Sequence, residues 1–281
     1  MRLVTILLVL FPVFSKAQVI CSAESRERLD AVFSELSQTD VSQKTMNDLT
    51  VEIGTWFLNT PYVEKTLEVS GEEKLVINLI GLDCTTFLET VITLARVAKE
   101  GRFTFGDYEH ELEFLRYRDG IRKEYPSRLH YFSDWIYNNQ QKGILKDITR
   151  DIGGELYPNN VAFMSGNPEL YPQLANGEFV DQIKNIEAEI KSRTYYYLPK
   201  KDIKGHEDKI RPGDLIAITI AMDNMDISHV GIAIEQNGRI HLLHASLDSK
   251  KVEISKKPLY EYLMGHKSQS GIMVCRLSEL K

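Results

Sequence analysis

The chain has 281 residues, 43% hydrophobic and 26% charged, with a formal net charge of −6. That length and composition describe a globular protein large enough to bury a core of its own. The acidic balance and the lack of any Lys/Arg-rich run exclude a phosphate-backbone binder, so no nucleic-acid partner is expected.

The first stretch, "MRLVTILLVLFPVFSKAQ", has Arg2 as a short positive region, an apolar run from Leu3 to Phe14, and the small-x-small site Ser15-Lys16-Ala17. It reads as a secretory signal peptide over 1–17, leaving one domain over 18–281 and an exported, periplasmic location. "QVIC" raises lipid anchoring at Cys21, but Ile20 is bulky for such a site, and soluble export fits better. No later segment is long and apolar enough to span a bilayer.

Export favours disulfides. The three cysteines are Cys21, Cys84 and Cys275. Cys21 and Cys275 could pair and leave Cys84 free, though Cys275 in "GIMVCRL" reads equally as a buried strand residue. An odd thiol in an exported protein is a candidate for reactivity.

In chain order, residues 22–58 carry helical periodicity, broken at Pro61. Leu75 to Leu79 reads as a strand running into a loop at Gly81. "GLDCTTFLETVITLARVA" follows. Phe87, Leu88, Val91, Ile92, Leu94, Ala95 and Val97 predict a deeply buried helix over 85–99, with Asp83 as N-cap and Cys84 in the first turn. Residues 103–200 read as a large helical insertion. Beyond it, "RPGDLIAITI", "SHVGIAIEQNGRIHLLHAS", "KKVEIS" and "GIMVCRL" read as strands. Helices first and strands later predict an α+β fold.

Asn237-Gly238 is the preferred two-residue turn of a β-hairpin. Pairing Gln236 with Arg239 and counting outward sets Gly231 opposite His244 and His229 opposite Ser246. His229 and His244 then share one face as diagonal neighbours, while His241 opposes Ile234 on the other. A slip of one residue would exchange His241 for His244. Gly231 and Ala233 on the His229 face leave room for the Cys84 helix to lie against it.

A thiol at a helix start beside two histidines suggests nucleophilic catalysis. Cys84 would be the nucleophile, its pKa lowered by the helix N-terminus and by His⁺. His229 would be the base, and His244 would accept a hydrogen bond from it and orient it. The Cys84 backbone N–H and the Tyr62 hydroxyl would face the developing oxyanion.

"NTPYV", "LDCTTF", "RPGDLIAI", "SHVGIAI" and "HAS" occur in the order found in NlpC-type cell-wall cysteine peptidases. "RYRDGI", "SRLHYFSDWI", "TYYYLP" and "DISHVGIAI" resemble one branch of that superfamily, the N-acetylmuramoyl-L-alanine amidase-like proteins. The resemblance implies a papain-like fold, a Cys84-His229-His244 triad with support from Tyr62 and Asp83, and no cofactor or metal. It also implies action on peptidoglycan fragments or muropeptides, at the bond between N-acetylmuramic acid and L-alanine, and a monomer is expected. A γ-D-glutamyl-diamino-acid endopeptidase is the alternative within the fold, and a non-catalytic wall-binding module the alternative outside it. The common motif has Ser-Gly after the cysteine where this chain has Thr85-Thr86, which weakens the endopeptidase reading. In the insertion, Arg116, Arg118, Arg128, Tyr131 and Trp135 could bind carboxylates or stack on a sugar. Surface charge and core aromatics are the ordinary alternatives.

Overall fold

The periodic segments fold as the apolar pattern dictates. The computed structural model describes residues 19–280, so the expected signal peptide lies outside them. The first elements are β1 (Val19–Cys21), α1 (Ala23–Gln38), α2 (Met46–Trp56), β2 (Leu75–Ile77) and α3 (Cys84–Lys99). Next come α4 (Phe105–Arg116), α5 (Phe132–Gln141), β3 (Leu145–Asp147), β4 (Glu155–Tyr157), α6 (Phe163–Gly166), α7 (Gly177–Ser192) and β5 (Tyr195–Pro199). Last are β6 (Leu215–Ile220), β7 (Ile227–Gln236), β8 (Arg239–Ser246), β9 (Lys251–Ile254), α8 (Leu259–Met264) and β10 (Gln269–Leu277).

The main sheet runs β4-β5-β10-β6-β7-β8-β9, with β3 also on β10, and all its pairings are antiparallel. β1 and β2 form a separate parallel pair. The fold is α+β. The segment 103–200 is not wholly helical as expected. Its strands β4 and β5 extend the main sheet beside β10, so it is built into the core rather than laid over it.

Strand alternation gives the sheet two apolar faces. Leu215, Ala217, Val230, Ile232, Leu243, Ala245 and Met273 face the larger core with α1 to α5 and α7. Ile216, Ile218, Ala233, Leu242, Ile272 and Val274 face a smaller one, closed by Leu259 and Leu263 of α8. The two sets interleave along each strand, as a period of two requires.

Helix α3 is buried from Thr86 to Ala98. A helix apolar nearly all round has no solvent face. Its end is set by Gly101, whose positive φ of 65° allows a Schellman closure. There Gly101 N–H donates to Ala98 O (3.0 Å) and Arg102 N–H to Val97 O (2.9 Å). Total burial obliges the helix to pair its own charges. Arg96 bonds Glu111 of α4. Glu89 accepts from Arg116 Nε (2.7 Å) and Trp135 Nε1 (3.1 Å), tying α3 to α4 and α5.

One packing expectation is overturned. Helix α3 lies on the Val230/Ile232 face, not the His229 face. Gly231 and Ala233 leave it no room: a Cβ on Gly231 would already meet Leu242 at 2.8 Å, and Ala233 belongs to the α8-side core. All three cysteines are free thiols, so Cys21 and Cys275 do not pair. Cys275 is a buried strand residue and Cys21 ends β1. Among the described residues no helix is long and apolar enough to cross a membrane.

Removing one partner of a buried ion pair leaves a stranded charge. Glu89→Ala should therefore lower unfolding stability by about 3–5 kcal/mol, read from urea midpoints. Replacing Glu89 and Arg116 together by leucine should lose clearly less. Equal losses in the two variants would show that the pair does not carry the effect.

Candidate active site

The chain enters α3 through a doubly closed cap. Asp83 N–H donates to Thr86 Oγ1 (2.9 Å), and Thr86 N–H and hydroxyl donate to Asp83 Oδ1 (both 2.8 Å). Thr86 thus takes the place that Glu or Gln has in a usual capping box. Upstream, Leu82 N–H donates to Pro61 O (3.0 Å) and Val63 N–H to Leu82 O (3.1 Å), which sets the Tyr62 strand beside the helix start. Cys84 is the first residue of the helix and is half-buried.

The histidines come from the hairpin, in the register expected. Ile234 pairs with His241 and Gln236 with Arg239, across a turn in which Asn237 and Gly238 have φ of 53° and 74°. His229 and His244 are therefore diagonal neighbours, with Nε2 of His229 2.6 Å from Nδ1 of His244. The rings meet edge to face, 4.8 Å apart. His241 points away and bonds Ser255 O through Nδ1 (2.8 Å).

Strand β7 carries a bulge just before His229. Ile218 pairs with His229 but Thr219 with Ile227, so Ser228 is an extra residue on β7. Such a bulge bends the strand and re-aims the side chains beside it. Here Cys84, Thr85, Ser228, His229 and Val230 line one cavity of about 600 Å³. His229 commits Nε2 to His244, so Nδ1 is the ring nitrogen left for the thiol.

The remaining walls come from the segment 103–200 and from the loop after Tyr62. Arg116, Arg128, Tyr131 and Asp83 line the cavity. Arg116 is spent on Glu89 and on Val76 O (2.6 Å). Arg128 is held by Glu68 (2.6 Å) and Glu73 (3.3 Å). Tyr131 donates its hydroxyl to Glu187 (2.7 Å) while accepting from Met164 N–H (2.9 Å), which fixes α6 as a wall. Two expected substrate contacts are not in the cavity. Arg118 pairs with Asp134 outside it, and Trp135 is fully buried with no face to offer a sugar.

Sequence reasoning missed Lys65, His130, Tyr171 and Asp226, all lining residues. Asp226 is buried at the start of β7 and accepts from Ser133 N–H of α5 (2.8 Å) and from Ile227 N–H (2.7 Å). Its place three residues before His229 was the available signal. Among the described residues no cluster of three metal-ligating side chains could hold a metal ion.

The electrostatics favour neutral groups at rest, contrary to the thiolate expected from a helix start. Burial, then the Asp83 charge, pushes the Cys84 thiol up to about 11, against hydrogen bonding from Val230 N–H and from the Thr85 hydroxyl and N–H. Burial, then His266, lowers His229 to about 4. Burial, then His229 and His266, lowers His244 to about 3. Burial pushes the Tyr62 phenol up to about 12, with Cys84 and Asp83 adding to it, so that hydroxyl stays a donor. With Thr86 and Phe87 N–H taken by Asp83 and the Thr85 N–H turned to sulfur, the Cys84 N–H is the first-turn donor left for an oxyanion.

Fold and site define an α+β protein with a thiol–imidazole cleft at the junction of a buried helix and an antiparallel sheet. The chain belongs to the N-acetylmuramoyl-L-alanine amidase-like (AmiA-like) family, whose model matches residues 52–272. An N-acetylmuramoyl-L-alanine amidase from Bacteroides uniformis superposes with a TM-score of 0.80 at 37% identity, over 83% of this chain and 99% of its own. A Bacteroides fragilis protein called a candidate xylanase gives 0.73 at 39% identity, over 80% and 99%. A Legionella pneumophila protein shares the fold at 23% identity and a TM-score of 0.66, over 92% and 97%. No curated protein matches the chain.

A raised thiol pKa means little thiolate at neutral pH. Alkylation of Cys84 by uncharged iodoacetamide, followed by peptide mass spectrometry to separate it from Cys21 and Cys275, should be slower at pH 7 than for a free cysteine of pKa about 8.5. The rate should still be climbing at about pH 10, because the thiol titrates at about 11. A rate plateau reaching down to pH 5 would show a preformed thiolate–imidazolium pair instead.

Proposed function

We propose that the protein is a cysteine-dependent amide hydrolase of peptidoglycan that cleaves the N-acetylmuramoyl-L-alanine bond of muropeptides through Cys84, His229 and His244. We take the fold as papain-like in its pairing of a cysteine helix with a histidine-bearing sheet. We place the protein as an exported, periplasmic monomer. The observation that carries the reading is the thiol and the imidazole in one cavity, with the second nitrogen of that imidazole bonded to another histidine.

From the neutral resting state the steps balance as follows. Cys84 Sγ attacks the lactyl carbonyl carbon as its proton passes to His229 Nδ1. The carbonyl oxygen gains the negative charge and is met by the Cys84 N–H and the Tyr62 hydroxyl. The C–N bond then breaks, and His229 gives its proton to the departing L-alanine nitrogen, leaving a thioester. Water, deprotonated by the same nitrogen, hydrolyses the thioester and restores the thiol. Val230 N–H and the Thr85 donors stabilise sulfur as charge develops on it.

Two other chemistries fit less well. A γ-D-glutamyl endopeptidase of this superfamily would use the carboxylate before the cysteine to hold a free amine, whereas Asp83 Oδ1 already accepts two hydrogen bonds from Thr86. A glycosidase needs two carboxyl groups flanking one bond. The acids lining the cavity are committed elsewhere: Glu68 to Arg128, Glu89 to Arg116, Asp226 to two backbone N–H groups.

Mass spectrometry of products from disaccharide-peptide muropeptides decides among these. The wild type should release an intact stem peptide and a free sugar acid. Cys84→Ala should lower kcat/KM by at least about 10³-fold, and His244→Ala by about 10²–10⁴-fold, as loss of a member of such a triad does. Cleavage within the peptide would favour the endopeptidase, and full activity in Cys84→Ala would remove the cysteine mechanism.

A further inference from the structure

The histidine pair does not end at His244. Its Nε2 is buried and has no hydrogen-bond partner, in a side chain 1% exposed. The imidazole of His244 packs against the ring of Tyr262, their centroids 5.6 Å apart and their planes nearly perpendicular at 78°. Tyr262 is itself fixed. It belongs to α8, whose Leu259 and Leu263 are buried against the sheet, its N–H donates to Pro258 O (2.8 Å), and His266 packs on its ring at 4.7 Å.

A buried orphan nitrogen on a triad histidine bears on which tautomer the pair adopts. The 2.6 Å contact between Nε2 of His229 and Nδ1 of His244 holds one proton. If His244 supplies it, His229 is protonated on Nδ1 and presents a donor to Cys84, which cannot take the thiol proton. If His229 supplies it, Nδ1 of His229 is a lone pair able to accept the thiol proton, and the remaining proton of His244 sits on its orphan Nε2. An aromatic ring face carries partial negative charge, so it attracts an N–H and repels a nitrogen lone pair. We infer that Tyr262 is a positioning residue whose ring face receives the Nε2–H of His244 and so holds both imidazoles in the tautomer that makes His229 a base. The inference rests on the Cys84–His229 chemistry proposed above for its consequence, though not for its geometry.

Imidazole nitrogen–proton correlations on protein labelled with ¹⁵N-histidine, at pH 7, test it without any turnover. In the wild type both His229 and His244 should be protonated on Nε2, and the His244 proton should be shifted upfield by the ring current of a face. Tyr262→Phe should keep both signatures and kcat within about twofold. Tyr262→Leu should mix the tautomers and lower kcat about tenfold, with KM unchanged. A wild-type His244 protonated on Nδ1, or an Nε2 proton shifted downfield by a ring edge, would overturn the inference. So would a Tyr262→Leu variant with unaltered tautomers and kcat. The wild-type spectrum decides the matter even if the leucine variant fails to fold. If the protein cleaves no muropeptide while His244 shows the upfield Nε2 proton, it is the proposed function that fails and not the tyrosine contact.

Discussion

The burial of α3 on all sides is the constraint from which most of the site follows. A helix without a solvent face must find partners for every charge it carries, because an unpaired buried ion costs several kcal/mol. Glu89 therefore recruits Arg116 and Trp135, and Arg96 recruits Glu111. Groups that looked in the sequence like substrate ligands are consumed in holding the helix. The same burial demands that the first turn be capped from within the chain. Asp83 and Thr86 do this for each other. On the function proposed above, the thiol at that end then comes with a rigid frame, which would let its backbone N–H serve as a fixed donor.

The sheet supplies the other half from its opposite face. The α3 side of β7 and β8 is apolar, with Val230, Ile232, Leu243 and Ala245. The histidines belong to the α8 side, yet His229 and Cys84 line one cavity, and the Ser228 bulge lies at the start of β7 beside it. Asp226 anchors that bent end to the first turn of α5 through Ser133 N–H. The segment 103–200 is thereby coupled to the position of His229 as well as to the cavity wall. An element that contributes strands to the sheet and a helix start to the bulge is part of the frame of the site.

What the sequence disclosed follows from the range of the interactions involved. The α3 boundaries, its N-cap and the hairpin register depend on neighbours a few positions apart, so periodicity and turn chemistry were enough to read them. The His229–His244 contact was legible for the same reason: fifteen positions separate the two, but a two-residue turn converts that separation into a count. Long-range packing was not legible. Which face of the sheet α3 covers depends on the side-chain volume of both faces, and small residues at Gly231 and Ala233 admitted a helix as readily as they admit Leu242 and α8. Arg116 and Arg128 were indistinguishable from surface arginines until Glu89, Glu68 and Glu73 arrived from elsewhere in the chain.

The thiol expectation failed for a physical reason with consequences for the chemistry. The favourable field of a helix start is only part of the environment of Cys84. The same buried setting strips water from the sulfur, and Asp83, required for the cap, adds a negative charge beside it. Desolvation acts on His229 in the opposite sense, so both members of the pair are driven towards neutrality. A thiolate–imidazolium pair would have to be assembled in a cavity that disfavours separated charge. On the mechanism proposed above, a neutral pair would create charge only as the carbonyl arrives, with Val230 N–H and the Thr85 donors already bonded to the sulfur. The work of the frame is then preorganisation at the moment of attack, and a closed, rigid helix start is worth more to such a site than a thiol that is ionised in advance.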